Sequence, residues 1–423
     1  MLVLPVPCLS ENDVPKADES IAEWLEATGG LYMPVGRLMM KRTLPFMFYL
    51  VYFAAAAFLQ PFFILYFQEL GFNGMQIGLL AGLTPLVILV GAPLWTGLAD
   101  AKMRHRLIMS LTIIVCVVAA ALFPLTRSFT LMIPLIFLYA LFAAPIIPFA
   151  DSATLSMLGE KKDLYGRVRL GGTIGWGLLG PVAGLVIETH GLKWAFWGFA
   201  AIMIFTLFII QGFTFSRPGA PVSWVNDVHK LLKDRRWLPF VALAFIAGVA
   251  FSVMNGYLLP YMEELGISRS IMGVAIFIAA ISELPVLFFA NFLLRRFKAR
   301  GLLVLGMLIT GVRLILYAAL NFQAGILVFQ LLNGLTFPAV WVAAISYANE
   351  IAPEGLKATA QGLLAAMTFG IGSAAGGLVG GLLLGSIHGQ ATFLIIGIIV
   401  LLGLGVVSFS DRMRQLHQTL SST

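Results

Sequence analysis

Four ionisable side chains stand where apolar sequence surrounds them. Asp151, Glu283 and Arg313 lie within long hydrophobic stretches, and Arg169 lies at the entry of another. At the centre of a bilayer such a group costs about 3 kcal/mol or more unless it is paired or hydrated, and it ordinarily marks a substrate or ion pathway. A carboxylate offers acceptors and a guanidinium a planar fork of donors, so together they suit the hydroxyls or the carboxylate of a small solute. The competing reading is structural, with the same charges joining helices as ion pairs. No His/Cys cluster has metal-ligand spacing, and no glycine loop with lysine is present to cradle a phosphate. Neither metal nor cofactor is expected.

The stretches that position these residues define the class. Of 423 residues 60% are hydrophobic and 11% charged, against about 25% charged in soluble domains. The balance excludes a soluble enzyme, a disordered chain and a disulfide-built secreted domain, since Cys8 and Cys116 form no framework. Runs of some 20 apolar residues cross about 30 Å of hydrocarbon. Twelve are expected, at 44–68, 75–99, 107–126, 129–157, 168–189, 192–213, 238–262, 270–294, 301–320, 323–350, 356–384 and 389–409. The longest loop, 214–237, divides them six and six.

The expected domains are an N-terminal extension (1–43), a six-helix bundle (44–213), the linker (214–237), a second bundle (238–410) and a tail (411–423). The linker opens with the breaker run Arg217-Pro-Gly-Ala-Pro221. It then sets Trp224, Val225, Val228, Leu231 and Leu232 on one helical face beside Lys230, Lys233, Arg235 and Arg236, which predicts a helix lying on the membrane surface. In the extension, Ile21, Trp24 and Leu25 offer a similar but shorter stripe.

A net charge of +7 suggests nucleic acid until its distribution is read. With the N-terminus taken as cytoplasmic, all but four of the 27 lysines and arginines fall in inner loops and tails; Arg127, Lys193 and Arg269 are outside and Arg313 is within a span. This is the positive-inside asymmetry. It places both termini in the cytoplasm and the chain in the cell (inner) membrane. The first residues lack the basic region of a signal peptide. The partners expected are membrane lipid, a small-molecule substrate and protons, with no nucleic acid, and the chain is expected to be a monomer.

Weak internal symmetry points the same way. Leu98-Ala-Asp-Ala-Lys-Met-Arg-His-Arg106 follows the second span and Phe292-Leu-Leu-Arg-Arg-Phe-Lys-Ala-Arg300 follows the eighth, as in transporters built from repeats. Gly372, Gly376 and Gly380 in span eleven, with Gly377 and Gly381 beside them, and Gly171, Gly175, Gly180 and Gly184 in span five, allow close helix approach. They serve either a rocking interface or ordinary tight packing.

Gly97-Leu-Ala-Asp100 followed by Arg104-His-Arg106 resembles the signature between spans two and three of the major facilitator superfamily. The resemblance implies an all-α membrane protein of twelve transmembrane helices in two six-helix bundles. It also makes Asp100, with Arg104, a conformational latch facing the start of span eleven near Pro353-Glu-Gly355. Thr96 and Met103 stand where the pattern prefers glycine, and Ala101 where it prefers a basic residue.

Tyr165-Gly-Arg-Val-Arg-Leu-Gly-Gly-Thr-Ile-Gly-Trp176 is similar to the corresponding stretch of the lactose permease and phenylpropionate permease branch. By that similarity Asp151 and Arg169 pair and bind substrate, and the Trp176 indole stacks on its ring, although plain packing or lipid contact also suits an indole. Arg313 falls on the branch's span-nine arginine and Glu283 near its span-eight glutamate. Asn333 and Thr336 replace the titrating groups of the sugar symporter's span ten, which leaves Glu283, tuned by Arg313, as the expected coupling carboxyl.

The function implied is secondary active transport, a proton-coupled symport of a sugar, nucleoside or aromatic acid by alternating access. Gly180-Pro-Val-Ala-Gly184 resembles the end of an antiporter signature and keeps drug/proton antiport as the alternative. A non-transporting sensor or a membrane enzyme ranks lower, because the cytoplasmic acids Asp100, Glu160, Asp163, Glu350 and Glu354 form no catalytic set.

Overall fold

The computed structural model describes residues 35–215, 224–234, 237–320 and 322–421. The stripe at Ile21, Trp24 and Leu25 lies outside the described residues, and the first helix begins at Val35. Nearly every described residue is helical. Spans one to ten are Thr43–Glu69, Gly74–Lys102, His105–Leu125, Phe129–Leu158, Tyr165–His190, Lys193–Ile210, Trp237–Glu264, Arg269–Phe288, Ala290–Ala319 and Gln323–Ile351. One further apolar helix, Lys357–Phe409, is 53 residues long. At 1.5 Å per residue it would measure about 80 Å, far more than about 30 Å of hydrocarbon. It is two spans, because helical geometry breaks at His388 (φ 65°, ψ 166°). Span eleven is therefore 357–387 and span twelve 389–409, which completes the expected twelve.

The loop between spans eight and nine breaks in the same way, at Lys298 (φ 58°, ψ 161°). In the related loop between spans two and three, Met103 sits at φ 52° and ψ 34°. A side chain at positive φ is uncommon outside glycine, which explains why the family signature prefers glycine where Met103 stands. The linker helix spans Trp224–Lys233. Its Leu231 is fully buried, and the helix packs on the first turns of span eleven. The side chains of Trp224 and Val225 lie outside the described residues.

Within the first bundle span one packs on spans five and six, and span four on spans two and three. In the second, span seven packs on span eleven, and span ten on spans eight and nine. The glycine stripes divide between these contacts and the contact between bundles. In span eleven, Gly372, Gly376 and Gly380 lie against Phe245, Val249 and Tyr257 of span seven. Gly377, Gly381 and Gly385 face Ala81, Gly78 and Gly74 of span two. In span five, Gly171 and Gly175 lie against Phe46 and Leu50 of span one, whereas Gly177, Gly180 and Gly184 meet Ala280, Ile276 and Arg269 of span eight. A methyl group on Gly78 would lie 2.7 Å from the Leu378 carbonyl, and one on Gly180 would lie 2.8 Å from Ile276.

Among the described residues, contacts between the bundles run from Glu69–Arg269 and Gly74–Gly385 to Gly177–Ala280 and Leu89–Gly370. At the end that carries the basic loops, Gly97, Gly166 and Gly301 have nothing within 4 Å of a would-be Cβ. Phe288, further along span eight, is 82% exposed there. The bundle contacts thus lie toward the end away from the basic loops. That end is tied by polar contacts as well. Arg269 at the start of span eight bonds Glu263 at 2.9 Å and reaches Glu69 of span one at 3.5 Å. Glu188 at the end of span five accepts the Ser270 N–H at 2.7 Å, where a helix N-terminus favours an anion.

The ties that join the two bundles exist only while this face is shut. Combining Arg269→Ala with Glu188→Gln should therefore raise the open-to-closed ratio several-fold. Spin–spin distances between labels at Ser128 and Gln323, on the two bundles, would show a larger long-distance population. Separately, Lys298→Gly should relieve a backbone conformation that costs about 1–3 kcal/mol and raise the thermal unfolding midpoint of the purified protein.

Candidate functional site

Two polar clusters lie on the basic-loop side of the Gly177–Ala280 contact between spans five and eight. The first is built on glycine. With no Cβ at Gly171 and Gly175, span five presses its backbone against Phe46 and Leu50 of span one, and Gly172 takes the Phe53 ring. The approach sets the Arg169 guanidinium over two rings, with Cζ 4.8 Å from the Tyr49 centroid and 5.2 Å from that of Phe53. Span four is interrupted between Ala143 and Ile146 and resumes as the helix Ile146–Leu158, which carries Asp151.

Tyr49 donates to Asp151 Oδ1 at 2.5 Å. Arg169 Nη1 lies 4.0 Å from the same oxygen, each side chain being about one-third exposed. That is too long for a hydrogen bond, and Nη1 is buried without a partner. Trp176, two turns beyond Arg169, is half-buried against the core. The structure thus brings Asp151 and Arg169 together and adds Tyr49 and Phe53, which sequence reasoning missed. Both belong to the apolar pattern of span one, and the partner of Tyr49 is 102 residues away.

The second cluster surrounds Arg313, which is 1% exposed. Its Nε donates to the Tyr317 hydroxyl at 2.9 Å, Nη1 to Asn333 Oδ1 at 2.9 Å and to Thr336 Oγ1 at 2.8 Å, and Nη2 to Gln330 Oε1. Asn333 in turn donates through Nδ2 to Glu283 Oε1 at 2.8 Å. The expected partnership of Glu283 and Arg313 is therefore indirect: an amide stands between them, and no ion pair joins them among the described residues. The absence of Cβ at Gly334 makes this possible, since span ten lies backbone to backbone against Ser282 and the Gly334 N–H donates to Ser282 Oγ at 3.0 Å. Tyr317 was legible as the residue one turn after Arg313, and Gln330 as a polar residue inside a span.

At the end that carries the basic loops, Asp100 is half-exposed and bonds His105 Nε2 at 2.7 Å. Arg104 is exposed at the start of span three. Arg106, two residues on, donates to the Phe213 carbonyl at 2.8 Å. Asp100 therefore meets the histidine that opens span three, and no bond to the residues around Pro353-Glu-Gly355 is found among the described residues.

Residues 46–395 match the model of the MFS_1 like family. The chain is 27% identical to a maltose permease of Geobacillus stearothermophilus, over 88% of this chain and 95% of that protein. It is 23% identical to a putative nucleoside transporter, YegT, of Escherichia coli K12, over 82% and 85%. The fold is that of a crystal structure of a point mutant of the nucleoside transporter NupG, with TM-score 0.78 at 17% identity over 87% of this chain and 99% of that one. Matching over most of its length, and built as two bundles packed on each other, the chain belongs to the MFS_1 like family of major facilitator transporters and is a multi-pass secondary transporter of small solutes, not an enzyme.

Proposed function

We propose that the protein is a proton-coupled symporter that takes an uncharged, hydroxyl-bearing solute, a sugar or nucleoside, through the cleft by alternating access. The observation that carries this reading is the Asp151–Arg169 pair, held at 4.0 Å with a buried, unpartnered N–H on the basic-loop side of the bundle contact. A solute hydroxyl donates a hydrogen bond to Asp151, and a neighbouring oxygen accepts one from Arg169. Asp151 balances Arg169 in charge within the pair, which favours a neutral solute over an aromatic acid. Trp176 offers its indole face to the solute ring. The maltose permease and the putative nucleoside transporter that the chain resembles are named for solutes in the same chemical range.

In this reading the branch is that of the oligosaccharide–proton symporters, and the protein acts as a monomer. The basic loops and both termini face the cytoplasm, so the conformation is open inward. Asp100 and Arg104 act in the opposite state, when closure of this end brings them to the N-terminus of span eleven. Glu283 carries the proton, with Arg313 acting on it through Asn333.

The test is uptake into proteoliposomes of radiolabelled maltose and uridine, as one member of each class. Asp151→Asn should lose saturable uptake of whichever solute the wild type transports while still inserting and purifying normally. Wild-type affinity in that variant would return the pair to a structural role. Transport of neither solute by the wild type would reject the proposed class. Glu283→Gln should exchange solute across the membrane but fail to accumulate it against a gradient. Accumulation equal to wild type would remove Glu283 from the coupling.

A further inference from the structure

We propose that Tyr49 is a positioning residue that holds the Asp151–Arg169 pair open, keeping a buried Arg169 N–H ready for an acceptor oxygen on the solute. The inference rests on the reading of that pair as the solute site.

Tyr49 is fully buried, and its hydroxyl meets Asp151, Thr154 and the hydroxyl of Tyr165, which also bonds Asp151. The Tyr49 hydroxyl lies 2.5 Å from Asp151 Oδ1 and 3.3 Å from Thr154 Oγ1. Thr154 spends its own proton on the Ala150 carbonyl at 2.6 Å, so it competes only as an acceptor. The carboxylate is nearer and charged, and it takes the single tyrosine proton. The same side chain carries the cation on its ring face, 4.8 Å below the guanidinium carbon, with Phe53 beside it.

One residue thus occupies the near oxygen of the anion and the face of the cation together. An unhindered arginine–carboxylate pair closes to about 2.7–2.9 Å. Here the nearest approach is 4.0 Å, and Nη1 is left without any acceptor. A buried donor without a partner is costly, and a solute oxygen removes that cost on binding. A pair already closed would have to be broken first. The opened pair therefore selects a solute that presents an acceptor and a neighbouring hydroxyl together, with a ring face for Phe53 and Trp176.

The test uses no solute. Phenylglyoxal modifies guanidinium groups, and the peptide carrying Arg169 is quantified by mass spectrometry in the purified full-length protein, with exposed Arg104 as the internal reference. Tyr49→Phe keeps the ring and removes only the hydroxyl. If Tyr49 holds the pair open, Asp151 closes on Arg169 in this variant and modification slows several-fold relative to Arg104. Adding Asp151→Asn restores the rate. An unchanged or faster rate in Tyr49→Phe would overturn the proposal, and so would a slowing that Asp151→Asn does not relieve, since that is the mark of altered packing. The labelling result expected here together with unimpaired uptake by Asp151→Asn would instead overturn the solute-site reading and leave the role of Tyr49 intact.

Discussion

Backbone-to-backbone contact at glycine is the interaction on which the rest of this molecule depends. Helices in hydrocarbon gain nothing from burying apolar surface against one another, so their association rests on how closely they fit. Gly74, Gly78 and Gly82 on one bundle and Gly377, Gly381 and Gly385 on the other bring the backbones of spans two and eleven into contact. Gly180, Gly184 and Gly273 do the same for spans five and eight. Further along, span two still meets span eleven at Leu89 and Gly370, and spans five and eight meet last at Gly177 and Ala280. The polar clusters lie beyond that last contact.

Glycine also builds the clusters themselves. Gly171, Gly172 and Gly175 let span five lie on span one closely enough for Arg169 to rest on Tyr49 and Phe53. Gly334 does the corresponding work between spans eight and ten, so that Asn333 reaches Glu283 on one side and Arg313 on the other. The two cations are satisfied differently. Arg313 is surrounded by neutral oxygens that use most of its donors, and its charge is fixed in place. Arg169 rests largely on ring faces and keeps a donor unused. The first arrangement suits a permanent electrostatic reference inside the bundle, the second a contact to be completed.

The spans and their count were legible because hydropathy over some 20 residues is a strong signal, and the charged residues announced themselves against that background. The partition of the glycines was not legible. Spacing by four identifies a close-packing stripe but not the neighbour it faces, and adjacent stripes on span eleven face different bundles. Tyr49 and Phe53 were hidden for a related reason, since an aromatic residue in an apolar helix reads as packing until its distant partner is known. Asp100 was marked by its signature, but its partner depends on which end of the cleft is closed. The sequence therefore marked the position without naming its partner in this state. The departure at Met103 had a physical meaning too, because the position lies at positive φ.

The same geometry divides the proposed work between the two carboxyl groups. Asp151 already receives the Tyr49 proton at its near oxygen. Adding a further proton there would remove the charge that orients both Tyr49 and Arg169, and the solute site would be lost with it. Glu283 is held by a single amide N–H from Asn333, and no cation touches it among the described residues. A protonated carboxyl keeps a carbonyl oxygen that accepts the same amide N–H and gains an O–H of its own. Glu283 can thus change charge without giving up its partner or releasing Arg313, whose own bonds end on neutral groups. A proton carrier must load and unload without dismantling its surroundings. On the proposed reading the span-eight carboxyl meets that condition, while the span-four carboxyl stays with Tyr49 and Arg169 as the contact a solute completes.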